Sequence, residues 1–418
     1  MKVLHICMND KVGGAAIAAF RHCEAMQQAG IDASLLVANK QRKHCQFTYP
    51  ILKKKKLAFF LAKLGLFLHH HLINKFCTWG VYSFSLWGFN VHKHPLVNEA
   101  DIIFLHWVAG GMLSTKEIKK ILKTGKKVIW YMHDMNPITG GCHYAMDCNK
   151  YTTKYGCYDC PFLNRRYGLD LAKIQWKQRI KSWPSYKNCE IMSPSNWLAN
   201  CAKESTIWKT HKVSVVPNVI NTKKFKPLNK KIAKELFDLD YNKHTILFGA
   251  DSLKSDYKGW SYLKDALNKL DPNKYELIIF GEKNQTIIED VKMKCFFTGF
   301  LQDELSLIMV YNAADTFVSP SLADNFPNVI MEAMSCGIPC IGFQTGGIPD
   351  LIQHETTGLL TETGNTDGLA NCIEKLFQSN EYYTQLAHNA RKFVQENCDY
   401  SLYNKFHNNL FSLVSTSK

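Results

Sequence analysis

The stretch "DTFVSPSLADNFPNVIMEAMSCGIPCIGFQTGGIPD", residues 315–350, decides the fold. Its first apolar run reads as a short buried strand. A loop carrying Asp324 follows, and Pro327 suits the first turn of a helix, where its missing N–H is no loss. The helix runs through "NVIMEAMS", stops at Gly337 ahead of Pro339, and yields to a second apolar run, "CIGF". The result is one strand–helix–strand unit.

The same grammar repeats on both sides. In the first half "KVLHIC" (2–7), "DASLLV" (32–37), "DIIFLHW" (101–107), "KKVIWYMHD" (126–134) and "EIMSPS" (190–195) read as strands. Helices fall between them, one stopped by Gly30 and one opened by a Ser114-x-x-Glu117 capping box. The second half restarts with "VSVVPN" (213–218) and continues through "TILFGA" (245–250), "YELIIFG" (275–281), "CFFTG" (295–299), "CIGF" (340–343) and "TGLL" (357–360). Repeated units of this kind make parallel sheets with right-handed crossovers. We expect an α/β chain of two doubly wound, Rossmann-like domains, 1–215 and 216–394, facing across a cleft. A C-terminal helix at about 395–418 is expected to return to the first domain. The 418 residues exceed one ordinary core and fit two domains of roughly 200 residues.

Composition narrows the class. Apolar residues make up 46% of the chain, as in an ordinary globular protein, and no run reaches the roughly 18 to 20 apolar residues of a membrane span. No export leader is read in the first residues, so the fifteen cysteines are expected to be reduced thiols in a cytoplasmic protein. The formal charge of +15 concentrates in 39–47, 53–56 and 221–235. Such patches favour anionic partners, though solvated lysines without a partner give the same pattern. Residues 56–76, "KLAFFLAKLGLFLHHHLINKF", are apolar nearly all round and follow four lysines. They suit a helix lying in an anionic membrane surface, with a domain-packing helix as the alternative.

The chemistry gathers at the opening stretch. Asp324 sits in the loop, the amides of Asn328, Val329 and Ile330 open the helix as an anion site, and Glu332 lies one turn in on the same face. Carboxylates suit vicinal hydroxyls and amides suit phosphates, so this arrangement matches a sugar nucleotide. Gly346 and Gly347 would let backbone approach the ligand. A solvated helix acid is the plain alternative for Glu332, and a satisfied strand-end histidine for His133.

These residues resemble the Glu-x7-Glu region of the retaining family 4 glycosyltransferases of GT-B fold, with Asp324 in place of the first glutamate and Glu332 matching the second. The resemblance extends through "GGAAIAAFRHCEAM", "HDMNPITGGCHY", "SPSNWLANC", "VVPNVINTKKFKP", "KGWSYLKDAL" and "FTGFLQDE", and is nearest to bacterial capsule, exopolysaccharide and O-antigen enzymes. It implies catalytic roles for His133 and Asp324. Donor contacts would come from Gly13, Gly14, Lys258, Phe326, Asn328, Val329 and Glu332. Among these, Lys258 would neutralise the diphosphate and Glu332 would bind the ribose. The family's arginine before that lysine is missing: Ala250 stands at its place, and Lys254 is the nearest substitute. The resemblance implies sugar transfer with retention on one face, no catalytic metal, a nucleotide-sugar donor and a lipid-linked or polysaccharide glycan acceptor. Together with the basic, apolar segment at about 53–76, it leads us to expect a cytoplasmic protein peripherally associated with the inner face of the cell membrane.

The cluster Cys142-x5-Cys148-x8-Cys157-x2-Cys160 follows His133 and has the spacing of a structural zinc site. Free thiols and disulfides are the alternatives. Two rival functions remain at this stage. A hydrolysing nucleotide-sugar epimerase of the same fold would turn over donor without acceptor. A zinc-containing nucleic-acid-binding protein would use the basic patches but leave Asp324 and Glu332 unexplained; no nucleic acid is expected.

Overall fold

The computed structural model describes residues 1–52, 55–164, 168–250, 255, 257–282, 285–301 and 303–404. Two compact units divide the chain: Met1–Val219 with the segment from Tyr400, and Ile220–Asp399.

Among the described residues the first unit holds seven strands: β1 (Lys2–Asn9), β2 (Asp32–Asn39), β3 (Thr48–Pro50), β4 (Ile102–Leu105), β5 (Lys127–Tyr131), β6 (Cys189–Ser193) and β7 (Val213–Val215). They form one parallel sheet in the order β3-β2-β1-β4-β5-β6-β7. The run at 213–218, expected to open the second domain, is therefore the edge of the first sheet. Its alternating residues resemble any strand, and only pairing with β6 assigns it. Apolar runs such as Ile102–Leu105 are buried throughout, because helices cover both faces of a sheet of this type. Tyr400 and Tyr403 pack into the core beside Phe20 and Cys23. The Tyr403 hydroxyl stands 2.5 Å from His22 Nδ1, and the Tyr400 hydroxyl donates to Glu24 at 2.7 Å. The C-terminal stretch beyond residue 404 lies outside the described residues.

The second unit repeats the plan with β8 (His244–Ala250), β9 (Tyr275–Gly281), β10 (Cys295–Gly299), β11 (Thr316–Ser319), β12 (Cys340–Phe343) and β13 (Gly358–Thr361). Its parallel order is β10-β9-β8-β11-β12-β13. Counted within each unit, the first sheet runs 3-2-1-4-5-6-7 and the second 3-2-1-4-5-6, the doubly wound order with one further edge strand in the first. In each, the order reverses between the first and fourth strands, and such a switch point is where ligands of this fold class bind.

Local signals hold with one change. Ser114 Oγ accepts from the Glu117 amide at 3.1 Å, as a capping residue should. The Glu117 carboxylate does not return the bond; it holds His92 instead, at 2.8 Å to the backbone N and 2.6 Å to Nδ1.

The helix Lys55–Phe76 belongs to the first unit. Gly65, His69 and Phe76 are buried and Leu72 is half-buried, a stripe at helical spacing that packs against the domain. Leu57, Phe60, Leu61, Leu64, Phe67 and Leu68 are exposed, Phe67 at 67%. At about 100° per residue these six share one face beside the packed stripe. The domain-packing alternative thus accounts for one side of the helix only. Among the described residues, no helix is long and apolar enough to cross a membrane.

Candidate functional site

Three strand ends build the site in the second unit. Lys258 follows β8, Asp324 follows β11, and the Gly346–Gly347 turn follows β12; these strands are neighbours at the switch point. Backbone contacts lock the three loops together. The Leu322 amide donates to the Tyr257 carbonyl at 2.7 Å, the Thr345 hydroxyl to the Leu322 carbonyl at 2.9 Å, and the Gly347 amide to the Asp324 carbonyl at 3.0 Å. Two glycines are required for this closeness. At Gly259 (φ +71°) a Cβ would fall 1.9 Å from the Pro320 carbonyl oxygen; at Gly346 (φ +55°) it would fall 2.1 Å from that of Asp324. The Gly346 turn therefore serves the Asp324 loop first, where the sequence reading gave it to the ligand.

Lys258 Nζ donates to Asp324 Oδ2 at 2.8 Å, and the Asn325 amide donates to Oδ1 at 2.9 Å. Asp324 is 9% exposed. Its charge is offset by Lys258, which keeps a carboxylate tolerable in so little water. Glu332 is more enclosed, at 2% exposure, and its Oε2 accepts from the Tyr311 hydroxyl at 2.8 Å. Tyr311, from the helix before β11, is a partner that sequence reasoning missed: nothing in "LIMVYNAAD" distinguishes it from a core tyrosine.

The helix Asn328–Ser335 begins at Pro327 with no side-chain cap. Its opening differs from expectation at one residue. The Ile330 amide donates to the Pro327 carbonyl at 3.2 Å, so it does not join Asn328 and Val329 as a group aimed at the loop. Asn328 and Phe326 are buried beside Asp324 in sequence and Val329 is half-buried. Lys254, the substitute weighed for the missing arginine, lies outside the described residues.

The first unit carries the other candidates. Gly13 (φ +92°) is the N-cap of the helix Gly14–Gln28, just beyond β1, and its carbonyl accepts from the amides of Ala16 and Ile17. His133 stands two residues past β5 and is half-buried. Burial pushes its pKa down to about 4, against an opposing pull from Asp134, so it is neutral at physiological pH. Burial alone would raise the Asp134 carboxyl, but His143 and the Asn136 amide hold it below the usual range.

His143 Nδ1 meets Asp134 Oδ2 at 2.5 Å and its Nε2 meets Ser83 Oγ at 2.8 Å. This has the connectivity of a serine-hydrolase triad. Ser83 is only 1% exposed, however, so no substrate carbonyl reaches it, and the array serves to tie the cysteine loop to residues 81–85.

Cys142, Cys148, Cys157 and Cys160 line one small pocket with Tyr82, Gly140 and Phe162. All four are free thiols. Burial raises the Cys142 thiol well above its usual range and pushes Cys157 up to about 12. Among the described residues no group of three or more His, Cys, Asp or Glu side chains is placed to hold a metal ion.

With this geometry established, comparison with known proteins is decisive for the second unit. Residues 243–379 match the family described as glycosyl transferases group 1. The match lies wholly within the second unit. The chain is 27% identical over 334 residues to an uncharacterised glycosyltransferase of Methanocaldococcus jannaschii, covering 74% of the chain and 83% of that protein. Over 97 residues it is 37% identical to the N-acetyl-alpha-D-glucosaminyl L-malate synthase of Bacillus anthracis, covering 23% of the chain and about a quarter (26%) of that enzyme. Over 189 residues it is 29% identical to the UDP-Gal:alpha-D-GlcNAc-diphosphoundecaprenol alpha-1,3-galactosyltransferase of Escherichia coli, covering 42% and 48%. The sucrose-phosphate synthase of Thermosynechococcus elongatus shares the fold with a TM-score of 0.67 at 17% identity, each chain covered in full (100%). The fold class is GT-B, with two parallel-sheet α/β domains.

Proposed function

We propose that this glycosyl transferase moves a sugar, with retention of configuration, from a nucleotide-sugar donor to a lipid-linked glycan in surface polysaccharide assembly. One observation carries the reading: Lys258 is paired with Asp324 at the switch point of the second sheet, and Glu332, held by Tyr311, lies in the helix that follows the Asp324 loop. Donor cleavage breaks the bond between the anomeric carbon and the diphosphate oxygen. Negative charge grows on the leaving group and positive charge on the ring. Lys258 meets the first, with the opening of the helix Asn328–Ser335 beside it; Asp324 meets the second. Glu332, oriented by Tyr311, accepts from the ribose hydroxyls. The departing phosphate takes the acceptor's proton on the face it leaves, which gives retention. Lys258 is already paired with Asp324, so donor phosphate competes for a lysine held in position.

The lipid-linked acceptor is supported by the diphosphoundecaprenol named for the Escherichia coli relative. It is also supported by the exposed apolar face of the helix Lys55–Phe76, flanked by Lys56 and Lys63, which suits an anionic membrane surface. An epimerase of the same fold would need neither feature. The reading is tested by thermal shift against a panel of nucleotide sugars. One donor is expected to raise the melting temperature, by about 2.7 kcal/mol of stabilisation at a hundredfold excess over Kd. The Glu332→Ala variant is expected to abolish that rise. A panel without a single stabilising donor would refute the proposal.

A further inference from the structure

Three histidines from neighbouring strands of the first sheet form a ladder. His5 lies within β1, His106 is the first residue past β4, and His133 follows β5. His5 Nδ1 is 2.8 Å from His106 Nε2, and His106 Nδ1 is 3.0 Å from His133 Nε2. The rings stack at centroid distances of 5.1 and 5.2 Å. His5 is 0% exposed and His106 is 2% exposed. His22 and Tyr131 flank the ladder, with ring centroids 6.1 and 5.4 Å from His106.

A neutral imidazole has one N–H and one lone pair. His106 uses both nitrogens on other imidazoles, so it donates to one neighbour and accepts from the other. The ladder therefore has a single polarity, and its inner end sets the direction. His5 Nε2 lies 3.3 Å from Met26 Sδ, and a thioether can only accept. The proton of His5 sits on Nε2, so its Nδ1 accepts from His106 Nε2–H. His106 Nδ1 then accepts from His133 Nε2–H. The reverse polarity would bury a lone pair of His5 against a sulfur lone pair. Burial keeps the ladder neutral at physiological pH, with His5 pushed down to about 3.

We propose that His5 and His106 are positioning residues that hold His133 as one neutral tautomer, protonated at Nε2 and accepting at Nδ1. Any group that meets Nδ1 must bring its own proton. A sugar hydroxyl does so and a ring or phosphate oxygen does not. The tautomer follows from the ladder alone; only the hydroxyl partner rests on the function proposed above.

The test needs no donor. The full chain is labelled with 15N-histidine, and long-range proton–nitrogen spectra are assigned with single His→Phe variants. His5, His106 and His133 are each expected to show a pyrrole-like Nε2 and a pyridine-like Nδ1. In His106→Phe the ladder is cut and His133 is expected to shift toward averaged nitrogen positions. His106→Gln, whose amide both accepts and donates, is expected to restore the single tautomer. A wild-type spectrum with His133 protonated at Nδ1, or averaged, overturns the proposal, whatever the variants do. So does a His106→Phe spectrum in which His133 is unchanged.

Discussion

The two sheets share the order 3-2-1-4-5-6, extended by a seventh strand in the first, and equip their switch points differently. In the second unit the strand ends carry a lysine–carboxylate pair and a glutamate held by a tyrosine. In the first they carry stacked neutral imidazoles. An ion pair at a strand end is suited to exchange its partner for a charged ligand. A neutral ladder is suited to orient a hydrogen bond without changing charge. One scaffold thus supplies an electrostatic end and an orienting end.

The largest expected effect tests the charged end. Lys258→Ala and Glu332→Ala are expected to fold and to lose about a hundredfold or more in kcat/KM for transfer from the nucleotide sugar. Activity within about twofold of wild type in both would remove the contrast between the units.

The neutral end is tested by acid. The folded pKa values of His5, about 3, and His133, about 4, lie below the ordinary value of 6.5. The unfolded chain therefore takes up protons first. Stability from these groups is complete above about pH 6.5 and is lost as pH falls toward the folded values. Each contributes a slope of up to about 1.4 kcal/mol per pH unit. Urea unfolding of the first unit's signals between pH 7 and pH 4.5 measures it, and a flat profile would show that the imidazoles are not held neutral.

The smallest effect asks where the first unit meets anions, if not at its strand ends. Phe60→Ser and Phe67→Ser are each expected to weaken co-sedimentation with anionic vesicles about tenfold, from the apolar surface lost. Unchanged sedimentation in the double variant would leave the helix Lys55–Phe76 without its assigned surface.

The same contrast explains what the sequence made legible. Asp324, the helix opening and Glu332 lie within nine residues, so spacing alone revealed them. Strand periodicity likewise gave most elements, including the run at 213–218 though not the sheet it joins, which is set by pairing at a distance; the three-residue edge strand β3 left no periodic signal. His5, His106 and His133 are brought together by strands far apart in the chain, and no local pattern marks them as a set. The cysteines were legible as a set from their spacing, and the fold gathers all four around one pocket.

The loops after β8, β11 and β12 are clasped through Gly259 and Gly346, where even a methyl group would collide with main-chain oxygen. An engineer seeking a new donor preference inherits that clasp as a fixed chassis. Side chains mounted on it can be exchanged one at a time, whereas transplanting any one of the three loops would unseat the other two.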